Sequence, residues 1–209
     1  MRTPPNRDLA LAQYRMRALS YDTELAAVEP VRRCAITCLQ LQPGATVLDV
    51  GCGTGLSFEL LRQGVGPSGH IVGIEQSPEM LHLARRRVAK NKWHNLTLLN
   101  SPVETAVIPF KADAALFHFT HDILRHPDAI RHVVQHLKPG ARVVAAGLQW
   151  GAPWEWATNC VVLMAAMYSV TSLDGLSQPW SLLAEQVGEM TVLPAPLSGV
   201  YIVSGVFGR

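Results

Sequence analysis

The sequence predicts an α/β protein built on a doubly wound, mostly parallel sheet. Three observations carry this. Strand-like and helix-like segments alternate from Thr46 to Ala146. The short strand segments are predominantly apolar, as strands covered on both faces are. The first of them runs without a break into a glycine-rich turn and a helix start.

Composition bounds the rest. The chain has 209 residues, 48% hydrophobic and 16% charged, which suits one domain with a sizeable core and excludes a disordered chain. A net charge of +2 supplies no basic stripe. The cluster Arg85, Arg86, Arg87 and Lys90 spreads around the solvated side of a helix, so nucleic acid is not an expected partner. Cys34, Cys38, Cys52 and Cys160 form no CxxC pair, and the N-terminus lacks the apolar core of a secretion signal. Free thiols in a reducing, cytoplasmic compartment are expected. The uncharged run 157–173 is short for a membrane span and is flanked by Glu155 and Asp174, so it is read as a helix covering the sheet or lining a pocket.

In chain order, apolar spacing predicts a helix over Arg7–Ser20 and a second over Glu24–Leu39, ended by Pro43-Gly44. Thr46–Val50 is the first strand. A helix follows the glycine turn to about Gly64, and His70–Glu75 is the second strand. Ser77 is the expected cap of the next helix, with Pro78 at its first position. Leu96–Leu99 and Ala112–Phe119 read as strands three and four. A helix over Pro127–Leu137 is expected to stop at Lys138-Pro139-Gly140, before a fifth strand over Arg142–Ala146. Beyond Gly147 come a tryptophan-rich stretch, the apolar helix, a turn at Gly175–Pro179, and two strands near Met190–Leu193 and Gly199–Val206, close enough for an antiparallel hairpin.

The run Val47-Leu48-Asp49-Val50-Gly51-Cys52-Gly53-Thr54-Gly55 is the most informative segment. Glycine lets a ligand touch bare backbone beside a helix N-terminus. Glu75, ending the neighbouring strand, can accept hydrogen bonds from both hydroxyls of a ribose. Together they read as a site for an adenosine-type ligand.

VLDVGCGTG, then GIEQSPEML, then LKPGARVV, resemble the class I S-adenosylmethionine-dependent methyltransferases over roughly residues 21–147. The resemblance implies a Rossmann-like seven-stranded sheet of order 3-2-1-4-5-7-6, strand seven antiparallel. It implies one domain: N-terminal helices forming a lid (1–42), a cofactor core (43–147), and an acceptor-pocket helix with C-terminal strands (148–209). It also implies S-adenosylmethionine as cofactor. Gly51, Cys52 and Gly53 would lie along its methionine part, with Asp49 orienting the amino group. Glu75 would hold the ribose, and Gln76 and Met80 would lie near the adenine. Ser101 stands where such enzymes usually carry an acid, flanked by Pro102 and Val103, whose N–H offers an alternative adenine contact. Tyr21, from the Tyr21-Asp22 element, would close over the cofactor, and Phe117 would sit beside it.

Ligands in such sheets meet at the carboxyl ends of the strands. Strand four ends Phe117-His118-Phe119-Thr120-His121-Asp122. His118 and His121 are therefore the candidate acid/base or acceptor-orienting residues, because imidazole titrates near neutral pH. His132 and His136 have helical i, i+4 spacing, but no third ligand accompanies them and no metal is expected. The acceptor pocket is expected from Tyr14, Trp150, Trp154, Met164 and Tyr168, whose flat apolar faces suit an aromatic or cationic acceptor. The expected activity is methyl transfer to a nitrogen or oxygen of a small-molecule acceptor, by a monomer or homodimer. A phospholipid N-methyltransferase working at a membrane surface, and a non-catalytic module that only binds the cofactor, are the alternatives. A nicotinamide oxidoreductase is disfavoured by the lack of a Tyr-x-x-x-Lys pair.

Overall fold

The computed structural model describes residues 7–17 and 21–208; the side chains of Gln13, Tyr14, Met16, Arg17 and Tyr21 lie outside the described residues. The chain opens with α1 (Arg7–Arg17), α2 (Tyr21–Glu24), a 3₁₀ turn over Leu25–Val28 and α3 (Glu29–Cys38). The core follows as β1 (Thr46–Val50), α4 (Phe58–Val65), β2 (His70–Glu75), α5 (Pro78–Lys90), β3 (Leu96–Asn100), a 3₁₀ turn over Val103–Thr105 and β4 (Ala112–His118). It continues through α6 (His121–Leu124), α7 (Pro127–Gln135), β5 (Leu137–Leu148), α8 (Trp156–Ser169), α9 (Ser181–Val187), β6 (Met190–Leu193) and β7 (Val200–Val206).

The sheet has seven strands in the order β3-β2-β1-β4-β5-β7-β6. The first five pair in parallel, and β7 runs antiparallel to both β5 and β6. This is the expected Rossmann-like order. The order reverses between β1 and β4, which opens a crevice at their carboxyl ends.

Two-residue alternation along the strands divides the core. Leu48, Val50, Ala115 and Phe117 join the layer under α7 and α9. Val47, Ala114 and Leu116 join the opposite layer with α3, α4 and α5. Ser77 caps α5 by accepting the Met80 N–H at 3.3 Å, with Pro78 just inside the helix, as the sequence predicts.

The structure corrects three readings. The expected helix over Glu24–Leu39 is interrupted, because a 3₁₀ turn precedes Pro30 in the first turn of α3. β5 starts at Leu137 rather than Arg142. Leu137 pairs with Ala112, and the Gly140 N–H donates to Phe207 O at 2.7 Å, so Lys138-Pro139-Gly140 continues the strand's path. The short helix α9 was not expected. The apolar helix α8 turns Val162 and Ala166 fully inward, lines a pocket with Ala165, Tyr168 and Ser169, and leaves Trp156, Val161, Met164 and Met167 exposed. Among the described residues no helix is long and apolar enough to cross a membrane.

Candidate active site

The tip of β1 builds the site. Gly51 takes φ +73°, and a Cβ there would stand 2.6 Å from Thr120 Cγ2 and 2.8 Å from Ile123 Cδ1, so only glycine fits. The Gly51 and Cys52 N–H groups both donate to Ile74 O, at 2.9 and 3.0 Å, which ties the turn to β2. Glu75 ties it again. One carboxylate oxygen accepts the Gly53 N–H at 3.1 Å and the other accepts the Ser77 N–H at 2.7 Å. Each oxygen keeps a further lone pair for a ligand hydroxyl.

A first cavity lies over this turn. Gly51, Gly53 and Glu75 form its floor; Ile74, Met80, Val103 and Ala129 supply apolar walls; and Gln76 borders it. Glu104 and Asp122 add carboxylates to its lining. Asp122 accepts the Thr171 N–H at 3.2 Å, and burial raises its pKa against that hydrogen bond.

A smaller recess continues beneath the turn, lined by Asp49, Cys52, Arg32 and His118. Asp49 is 2% exposed, and its Oδ2 has no hydrogen-bond partner among the described residues. Burial pushes its pKa up to about 7; the Arg32 guanidinium opposes that shift and the Glu75 carboxylate adds to it. Burial likewise raises Glu75, against the N–H donors of Ser77 and Gly53, and raises the Cys52 thiol well above its ordinary value. Arg32 is buried on α3 and paired with Glu29. His118 has a shielded Nε2 with no partner among the described residues, and its pKa falls to about 3, first through burial and then through Arg32.

A second cavity, of about 210 Å³, lies on the other side of Phe119, which lines both. Phe119 holds a left-handed backbone, φ +56°, and donates its N–H to Ala146 O at 2.8 Å. Leu25, Val28, Leu148 and Val170 give this second space an apolar lining, with Glu24, His121, Tyr168 and Tyr201 as its polar contributors. His121 Nε2 lies 3.1 Å from Asp174 O. Burial lowers the His121 pKa to about 4, the Asp174 carbonyl opposing.

Of the residues expected from sequence, Gly51, Gly53, Glu75, Gln76, Met80 and Val103 line the first cavity. Asp49 and Cys52 line the recess below it, although the Cys52 N–H is consumed by Ile74. Phe117 is a correction. It points into the core layer, because alternation along β4 buries it, and Phe119 holds the cavity wall instead. Ser101 is a second correction: its hydroxyl donates to Pro102 O at 2.9 Å, neither residue lines the cavity, and the acid in this region is Glu104.

His118 and His121 are separated, one in the recess and one in the second cavity. Of the acceptor candidates only Tyr168 lines that second cavity among the described residues. Trp154 and Met164 are 81% and 74% exposed, and Trp150 lines neither cavity. Tyr14 and Tyr21 have side chains outside the described residues. His132 Nε2 and His136 Nδ1 each lie 2.8 Å from a backbone carbonyl oxygen, of Ala106 and His132. Sequence reasoning missed Arg32, Glu104, Phe119, Asp122 and Tyr201. Only the position of Phe119 and Asp122 at the end of strand four offered a signal.

Comparison with known proteins agrees with this geometry. Residues 47–140 match the family model described as a methyltransferase domain. An arsenite methyltransferase of Halobacterium salinarum is 48% identical over 56 residues, 27% of this chain and 14% of that protein. A demethylmenaquinone methyltransferase of Listeria monocytogenes is 27% identical over 114 residues, 54% of this chain and 48% of that protein. The chain thus spans half or less of these relatives' lengths. The N-methyltransferase NodS of Bradyrhizobium japonicum, solved with S-adenosyl-L-homocysteine, superposes with a TM-score of 0.61 at 14% identity, covering 85% of this chain and 86% of that one, and so shares the fold. The sheet order, the glycine turn and the match of residues 47–140 to a methyltransferase domain together support a class I S-adenosylmethionine-dependent methyltransferase.

Proposed function

We propose that this protein transfers a methyl group from S-adenosylmethionine to a nitrogen or oxygen of a small-molecule acceptor. The observation that carries the reading is the pair of cavities meeting at Phe119, one floored by the glycine turn and Glu75, the other apolar.

The residues fit this cofactor. The unpartnered, buried Asp49 oxygen suits a cationic amino group, and Arg32 in the same recess suits the carboxylate beside it. Glu75 has lone pairs left for the ribose hydroxyls, and Met80, Val103 and Glu104 offer apolar faces and one hydrogen-bond acceptor to the adenine. Bound there, the cofactor supplies a methyl carbon activated by sulfonium charge.

The chain's own task is alignment and exclusion of water, which can supply up to about 7–11 kcal/mol. His121 is the better placed of the two histidines to act on the acceptor. Its ring lines the second cavity, and its Nε2–H donates to the Asp174 carbonyl, which fixes the ring's orientation there. His118 instead shapes the recess around Asp49.

Calorimetry with S-adenosylhomocysteine and with NAD tests the cofactor reading. Binding of the first, its loss in Glu75→Ala, and no binding of NAD are expected. Indifference to S-adenosylhomocysteine overturns the proposal.

A further inference from the structure

We propose that two copies of this chain associate face to face through α8, across a two-fold axis that sets the two helices antiparallel. Helix α8 has one covered face and one bare one. Val162 and Ala166 turn inward, while Trp156, Val161, Met164 and Met167 are each two-thirds or more exposed. The bare face continues through Cys160 and Leu163, and through Trp154 just before the helix. Together these side chains expose roughly 800–1,000 Å², more than the apolar patch of a typical monomer and about what one partner contributes to a stable interface.

Charge identifies the occupant. Helix α8 carries no Asp, Glu, Lys, Arg or His, and the nearest charged residues along the chain are Glu155 and Asp174. A helix that lies on a lipid surface backs its apolar face with Lys and Arg, and acids at both ends would be repelled by anionic headgroups. A two-fold axis sets a surface against its own copy, where any net charge repels itself. A neutral apolar face meets no such penalty.

The spacing on this face is self-complementary. Trp156, Cys160, Leu163 and Met167 follow one another at intervals of four, three and four residues, so they form one stripe that reads the same in both directions. Two such stripes laid antiparallel pair Trp156 with Met167 and Cys160 with Leu163 across the axis. The indole then meets a flexible thioether, a favourable contact, and the branched leucine meets a small thiol. Ala165 and Ser169, on a neighbouring arc of α8, line the second cavity, so the partner copy braces one wall of that cavity.

Sedimentation velocity on the full chain tests the proposal, with no cofactor present, so that its outcome stands apart from the methyltransferase reading. The parent is expected to be dimeric at about 10 µM. Met167→Glu and Trp156→Lys, both at exposed positions and checked for native far-UV circular dichroism, are each expected to weaken association about 100-fold or more, because the new charge loses its water without gaining a partner. The double variant Trp156→Lys/Met167→Glu sets cation against carboxylate across the axis and is expected to recover at least about tenfold of that loss. A parent that stays monomeric at about 100 µM, a dimer unmoved by Met167→Glu, or a double variant no tighter than either single one overturns the proposal. So does a monomer that floats with phosphatidylcholine vesicles, which would assign the same face to lipid.

Discussion

Arg87 reaches from α5 to pair with Asp22 of α2, and the same two side chains hold the glycine turn between them. Arg87 Nε donates to Thr54 O at 3.0 Å, and the Thr54 hydroxyl donates to Asp22. Helix α2 is thereby fastened to the glycine turn proposed to receive the cofactor. Because the ion pair is partly exposed, its worth to global stability is about 0–1 kcal/mol. Asp22→Asn is therefore expected to move the melting temperature little, yet to weaken S-adenosylhomocysteine binding several-fold. Equal losses in both measurements would mark the pair as merely structural.

Asp49 should trade stability for binding. Its folded pKa of about 7 lies above the ordinary carboxylate value of about 3.9. The folded state therefore holds the extra proton, and this group's contribution, full below pH ~4, is lost as pH rises through about 7. Asp49→Asn is expected to melt higher than the parent at pH 8, by a margin that vanishes near pH 4, and to bind S-adenosylhomocysteine at least about tenfold more weakly. Binding to the parent near pH 7 should release protons, seen as a buffer-dependent calorimetric heat. A heat independent of buffer would contradict the assignment.

The two histidines act with the opposite sign. His118 and His121 have folded pKa values of about 3 and about 4, below the ordinary value of about 6.5. Their contribution is complete above pH ~6.5 and is lost as pH falls through those folded values, because the unfolded chain takes up protons first. Denaturant titrations from pH 7 to pH 4 should show a shallower decline in His118→Gln than in the parent. A parallel decline would mean that His118 is not buried neutral.

Phe119 carries a strained backbone at the wall between the cavities. A bulky side chain in the left-handed region costs roughly 1–2 kcal/mol. Phe119→Gly removes that strain but also the ring's packing, so its stability is expected to stay within about 1 kcal/mol of the parent. Methyl transfer should fall by about 10²-fold, with S-adenosylhomocysteine affinity nearly kept. A loss of cofactor affinity matching the loss of turnover would place Phe119 in the cofactor site alone.

The legible part of the site was the part written in consecutive residues. The glycine turn, Glu75 and the Ser77 cap each follow from local geometry, and each stands where the spacing predicts. The remainder depends on contacts between distant segments. Arg32 reaches the recess only because α3 packs beside β4 and β5. Glu104 reaches the first cavity because a 3₁₀ turn after Pro102 shifts the acid three places beyond Ser101. Phe117 and Phe119 exchange roles because strand alternation buries the first and the left-handed residue after the strand redirects the second. The tryptophans misled for a related reason. Apolar character marks a side chain as one that avoids water, but not which neighbour, if any, covers it.

The clasp between Glu75 and the Gly53 N–H has a consequence for engineering. An acid that only greeted the sugar could be exchanged to admit a different nucleoside, at no expense to the scaffold. Here the same carboxylate keeps the loop's shape, so Glu75→Gln should loosen the loop as well as the ligand, by about 1–3 kcal/mol in denaturant unfolding. Retargeting this protein to another nucleoside would have to begin by rebuilding the loop.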